Sequence, residues 1–318
     1  MTELRRSLRH EAVRRERRYR LRGLTKRASL AAFAGLCRAI IRLIRNRDPD
    51  RTARAAGRLM RAIGPRLRGH HVARANLKAA FPEKSDQEIE RVIEGVWDNL
   101  GRVLAEFAFV DRLTDYDPHK PSNKWILIDQ AHVERGFEIA KRGGPYLVFG
   151  AHLANWELPP SFPGAFGIPF AGVYYPSGYP AADDLLIKIR SRRAKLIPAR
   201  FGAAAQIENA LRQGSSIGMM VDLRFAGGTE VVFFGRKCTV NPALAWFARK
   251  YEYPLYGARA IRVPSGRFRM ELTQELNPPR DAEGKIDVAA TMQMITWIIE
   301  GWVREHPEQW LWVHRRWH

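Results

Sequence analysis

A histidine and a glutamate five positions apart, His152 and Glu157, stand in the segment Gly150-Ala151-His152-Leu153-Ala154-Asn155-Trp156-Glu157. The apolar run Tyr146–Phe149 ahead of them reads as a buried strand, and open α/β sheets bind ligands beyond the carboxyl ends of their strands. Imidazole titrates near neutrality, so a histidine placed there can take a proton from a hydroxyl. With Glu157 in the next helical turn, its carboxylate can reach the ring, fix the tautomer and stabilise the imidazolium. No serine or cysteine nucleophile is adjacent, so direct attack by an acceptor hydroxyl is the simpler scheme. The same two residues would also serve as a plain surface pair, and the spacing alone does not decide between the readings.

The elements that must position them can be read from periodicity. Ser85 and Glu88 have capping-box spacing. They open an amphipathic helix whose apolar positions run Ile89, Val92, Ile93, Val96, Trp97, Leu100, Val103, Leu104 and Phe107. Beyond residue 140 short apolar runs alternate with helical stretches. Strands are expected at Tyr146–Phe149, Phe170–Tyr174, Ile217–Val221, Glu230–Phe234 and Pro254–Val263, with helices around 182–194, 203–213, 242–251 and 287–304. That alternation predicts an α/β fold, a central mixed sheet flanked by helices.

The chain has 318 residues and a formal charge of +20. Residues 1–70 hold 21 Arg/Lys against 5 Asp/Glu and so carry +16 of it. The basic character belongs to the N-terminal segment and implies an anionic partner: a membrane surface, a phosphate-bearing substrate or a nucleic acid. Residues 1–28 read as a basic arm and 29–70 as basic helix broken at Asp48-Pro49-Asp50. Leu30–Ile44 is interrupted by Arg38 and Arg42. It is too short and too charged to span a bilayer, and reads as an interfacial amphipathic helix or as a core helix. The expected division is therefore 1–70, a basic helical membrane-associating segment, and 71–318, the catalytic domain. Cys37 and Cys238 fit neither a metal spacing nor a disulfide framework.

Five further blocks accompany the His-x4-Glu segment in order: Asn76–Pro82, Val173-Tyr174-Tyr175-Pro176, Gly218–Asp222, Val232–Gly235 and Pro307–Trp317. Together they resemble the late acyltransferases of lipid A biosynthesis, within the lysophospholipid acyltransferase-like superfamily, from about residue 70 to the C-terminus. The resemblance implies a glycerolipid acyltransferase-like fold. It also implies transfer of a fatty acyl group from acyl carrier protein, as co-substrate, to a hydroxyl of a lipid A precursor. No metal and no other cofactor are implied. By the same carry-over His152 is the base and Glu157 its partner; for a lipid acceptor, the Arg-rich arm 1–28 and the apolar face of 30–44 predict peripheral or monotopic attachment to the cytoplasmic face of the inner membrane. Such a reaction needs donors for the oxyanion, expected here from backbone N–H groups at the start of a helix after His152.

The resemblance also directs attention to substrate-binding candidates. Tyr175 stands where many relatives have an arginine thought to hold phosphate or assist catalysis; Arg190, Arg192 and Arg193, on a predicted helix, are the candidates to replace it, or else line a solvated helix face. Leu223 stands where relatives often have glutamine. Asp222 ends a predicted buried strand, where it either orders Arg224 or a loop, or caps a turn. His314, Arg315 and Arg316 either present cations to an acceptor phosphate or pair with carboxylates while the neighbouring tryptophans fill the core. No role is assigned to His10, His70, His71, His119, His132, His306 or His318.

Three rival readings remain. A nucleic-acid-binding protein would explain the charge, but the body beyond residue 70 is nearly neutral and carries no nucleic-acid-binding signature, so no nucleic acid is expected. An acyltransferase acting on a lysophospholipid, aminolipid or other glycolipid would share the same catalytic residues. A pseudoenzyme or a membrane scaffold that keeps the fold is disfavoured by the presence of both His152 and Glu157.

Overall fold

The computed structural model describes residues 35–36, 39–120, 124–176, 183, 187–188, 190 and 194–317. The basic arm 1–28 lies outside them, as do Arg192 and Arg193. Of the expected interfacial helix, residues 39–44 are helical. Ile41 and Ile44 pack against a small core with Phe109 and Leu113, while Leu36, Ile40 and Leu43 face outward.

Three helices form the N-terminal layer. In α1, Pro49–Ile63, Asp48 caps the first turn by accepting from the Arg51 N–H, and Pro49 takes the first-turn position where its missing N–H costs nothing. The expected break at 48–50 is thus a helix start. Helix α2, Arg68–Ala80, runs across residue 70. Helix α3, Asp86–Glu106, begins with the Ser85/Glu88 capping box. A Cβ on Gly101 would lie 2.5 Å from the Ala56 carbonyl oxygen, so only glycine permits the close crossing of α1 and α3 there. A short helix, α4, follows at Val110–Leu113.

The body is a seven-stranded sheet. Its elements in chain order are β1 Ile126–Leu127, α5 Gln130–Arg142, β2 Leu147–Gly150, β3 Phe170–Tyr174, β4 Lys195–Pro198, α6 Ala203–Arg212 and β5 Ser216–Met220. A separate antiparallel hairpin, β6 Thr229–Phe233 and β7 Arg236–Val240, comes next. Then follow α7 Ala243–Tyr251, β8 Leu255–Arg262, β9 Phe268–Leu272 and α8 Val288–Glu305. The sheet order is β1-β9-β8-β2-β5-β3-β4. All neighbours are parallel except β8 and β9. The mixed α/β sheet expected from the alternation is therefore present, with parallel pairing dominant.

Side chains alternate across a strand, so the two faces of the sheet have different fates. Leu147, Phe149, Ala171, Ile217, Met219 and Leu255 pack into the main core with α7, α8 and the closing tryptophans. The opposite face carries Val148, Gly150, Gly172, Gly218, Ala258 and Ala260, and borders a cavity. Strand β2 lies centrally, between β5 and β8. Its carboxyl end delivers the chain into the segment that begins at His152.

Candidate active site

The register between β2 and β5 sets the first contact. Gly150 lies opposite Met220, and two residues beyond each, His152 and Asp222 meet. The His152 backbone N–H donates to Asp222 Oδ2 at 2.7 Å, and its ring Nδ1 lies 2.7 Å from Oδ1. An anionic carboxylate only accepts, so Nδ1 carries the proton and Nε2 is left as the basic nitrogen. Asp222 is 2% exposed. Burial works against its charge, yet the His152 ring, its hydrogen bonds and the Trp310 indole hold the carboxyl below the usual range.

Glu157 is placed differently from the sequence expectation. The chain after His152 makes turns and a short 3-10 stretch at Pro159–Ser161, not an α-helix. The expected His152–Glu157 pair does not form, and no helix start offers oxyanion donors there. Glu157 instead receives a fork from Arg190, whose Nε donates at 2.7 Å and whose Nη2 donates to the other oxygen. Burial opposes the Arg190 charge, but the Glu157 hydrogen bonds outweigh it and raise the guanidinium pKa further. His152, Glu157 and Arg190 all line the same cavity.

A buried polar scaffold holds this loop. Ala154 sits in the left-handed region at φ 47°, a conformation unfavourable for a residue with a Cβ. Its N–H donates to the Gln309 carbonyl at 2.9 Å, and its own carbonyl accepts from Asn99 at 3.2 Å. Asn155 donates to Glu106 at 2.9 Å and accepts the Glu157 N–H at 3.1 Å. Glu106 is paired two-pronged with Arg262. Asn99 and Glu106 occupy the same face of α3, seven residues apart, among its apolar contacts. Two polar residues at that spacing on an otherwise apolar stripe are the sequence sign of this buried network.

The cavity measures about 540 Å³ and has a mainly apolar lining. Its floor is the small-residue face of the sheet, Gly150, Gly172, Gly218, Ala258 and Ala260, and its rim includes Trp156, Phe162 and Phe166. The ring of Phe170 fills the space a Gly218 side chain would need, and the Met220 thioether does the same at Gly150. An apolar cavity with His152 in its lining suits a hydrocarbon chain that carries one polar group.

The other expected site residues divide. Tyr175 and Arg224 line the cavity; Tyr175 is exposed, and its hydroxyl accepts from Asn241 at 3.1 Å. Asp222, expected to order Arg224 or a loop or to cap a turn, hydrogen-bonds the His152 backbone and ring. His314 and Arg315 are exposed on the closing segment. Although His314 is open to solvent on one side, the protein around its ring desolvates it and, with the charge of nearby His152, lowers its pKa. Arg316, expected to present its charge to substrate or to pair with a carboxylate, is 2% exposed and stacks 4.8 Å from the Phe233 ring. Its Nη1 donates to the Thr239 carbonyl. Trp310, Trp312 and Trp317 are buried in the main core.

The fold and site define an α/β protein with a mixed, mainly parallel sheet and a His–Asp pair at a strand end, facing an apolar trench. The family model for bacterial lipid A biosynthesis acyltransferases matches residues 26–318, and the chain belongs to that family. It is 27% identical to the lipid A biosynthesis lauroyltransferase of Escherichia coli K12 over 255 residues, covering 77% of this chain and 78% of that one. It is 25% identical to the lipid A biosynthesis palmitoleoyltransferase of the same strain over 257 residues, covering 78% of each. The protein is an acyltransferase of lipid A biosynthesis.

Proposed function

We propose that the enzyme transfers a fatty acyl chain from the thioester of acyl carrier protein to a hydroxyl of a lipid A precursor, with His152 as general base. The observation that carries this reading is the His152–Asp222 pair, in which the Nδ1 proton is held by the accepting Asp222 carboxylate, with the ring lining the apolar cavity. His152 Nε2 takes the proton of the acceptor hydroxyl as its oxygen attacks the thioester carbonyl. The buried Asp222 carboxylate stabilises the imidazolium so formed. Collapse of the tetrahedral intermediate breaks the carbon–sulfur bond, and the imidazolium returns the proton to the leaving thiolate. The trench takes the acyl chain and keeps water from the thioester. Glu157 acts through Arg190, keeping a cation beside the reacting atoms, rather than through His152.

The partners follow from the same reading. An acidic carrier protein and an anionic lipid surface both suit a chain with +16 on residues 1–70, at about 1 kcal/mol per basic residue close to a membrane. Among the described residues no helix is long and apolar enough to cross a membrane. Outward-facing Leu36, Ile40 and Leu43 support attachment to the cytoplasmic face of the inner membrane through this segment. Tyr175, neutral and exposed at the cavity rim, favours a second reading in which the acceptor is a lysophospholipid, aminolipid or other glycolipid.

The test is a mass measurement. Purified enzyme, an acyl carrier protein thioester and a tetraacylated lipid A precursor should yield a product heavier by one acyl chain. A gain on a lysophospholipid and none on lipid A would keep the chemistry and move the acceptor. No gain on any hydroxylated lipid would overturn the reading.

A further inference from the structure

The closing segment of the chain reaches the back of the candidate base. Leu153 bridges Trp310 in antiparallel fashion, and the Leu311 N–H donates to the His152 carbonyl at 3.1 Å. From this strap the Trp310 indole N–H donates to Asp222 Oδ2 at 2.8 Å, the same oxygen that accepts the His152 backbone N–H. Asp222 therefore receives three N–H groups among the described residues, two from His152 and one from Trp310. The indole is itself fixed: Trp310 is 2% exposed, edge-on to Trp312 at 4.6 Å and tilted on Phe233 at 5.6 Å. A rigid ring with a single donor, aimed at a single carboxylate oxygen, specifies which way that carboxylate turns.

We propose that Trp310 is a positioning residue for catalysis, fixing the Asp222 carboxylate so that its other oxygen stays on His152 Nδ1. The inference rests on the assignment of His152 as base. It gives the aromatic C-terminal segment a part in the reaction that core packing alone does not require. Trp312 provides the internal contrast: it belongs to the same strap and the same aromatic cluster, but its indole donates to the Pro307 carbonyl at 2.7 Å. The charged groups facing Asp222 are His152 and, on the closing segment, His314 and Arg316. Neither indole exchange alters any of them.

The experiment compares Trp310→Phe with Trp312→Phe in acyl transfer. Loss of one hydrogen bond to a charged group predicts a fall of about tenfold to a hundredfold in kcat for Trp310→Phe, with KM unchanged. A carboxylate stripped of one donor attracts the imidazolium more strongly, so the acidic limb of the kcat profile should move to higher pH. Trp312→Phe should lower the melting temperature and leave that limb in place. Replacing Trp310 by benzothienylalanine, which keeps the ring shape and lacks the N–H, gives the same comparison should the phenylalanine variant fail to fold. Wild-type kcat in the donor-less variant, or a limb that moves equally in the Trp312 variant, would overturn the proposal. The His152 ring titration, followed by NMR in both variants, reads the contact without turnover. A wild-type enzyme inactive on every lipid would thus discredit the assigned reaction, while an upward ring titration confined to the Trp310 variant would still support the contact and its absence would refute it.

Discussion

Asp222→Asn is the change that bears most sharply on the site. The carboxylate accepts from the His152 N–H and the Trp310 indole on one oxygen and faces His152 Nδ1 with the other. An asparagine of the same shape keeps the two fixed donors by turning its carbonyl oxygen toward them. Its NH2 then faces Nδ1, which must become the acceptor. The imidazole proton is displaced to Nε2, the nitrogen that has to be free to take the hydroxyl proton. In a serine-protease triad the equivalent exchange lowers kcat by about 10⁴-fold with geometry intact, and a fall of that order is expected here. Acyl transfer from a carrier thioester, followed by product mass, measures it; circular dichroism checks that the fold persists. Activity within tenfold of wild type would refute the assignment of Asp222 as the group that sets the tautomer.

Other consequences follow from the surroundings. Glu157→Ala and Arg190→Ala should each destabilise by about 3–5 kcal/mol, each leaving a largely buried charge uncompensated; the double variant should lose clearly less than the sum, as read by denaturant unfolding. His70 is buried, accepts the Trp97 indole N–H at 3.2 Å and has its pKa lowered by burial and then by Arg74. Its stabilising contribution is complete above the unfolded histidine pKa of about 6.5 and declines as pH falls below it toward the folded pKa. His70→Gln should flatten the fall in melting temperature as pH drops below about 6.5. Ala258→Leu narrows the trench floor and should shift the preferred donor to a shorter acyl chain, measured by competition among carrier thioesters of different length.

Much of the frame was legible because local signals and tertiary demand agree. The capping box starts α3 where Ser85 and Glu88 placed it, and β3 occupies Phe170–Tyr174 as its apolar run required. Strand β9 lies beyond the strands expected from apolar runs, because only its alternation marks it: Phe268, Met270 and Leu272 against Arg269 and Glu271, the period of a half-buried strand. Strand β4 carries too little signal: four residues at a sheet edge, Lys195-Leu196-Ile197-Pro198, the last a proline. At the site, His152 was legible from its motif and Asp222 from its place at a strand end, whereas their pairing was not. Glu157 is near in sequence, but the chain turns it toward Arg190. Asp222 is 70 residues away and arrives only because β5 pairs with β2 in a register that sets Met220 opposite Gly150. Trp310 comes later still, from a segment whose aromatic composition reads as core.

The most direct test of the central claim is the rate of acyl transfer to the lipid A precursor by His152→Ala beside wild type, under saturating donor. Loss of the base predicts that the variant's product, heavier by one acyl chain, forms at least about 10³-fold more slowly while the protein remains folded. A folded His152→Ala enzyme that acylates the precursor within tenfold of the wild-type rate would contradict the account.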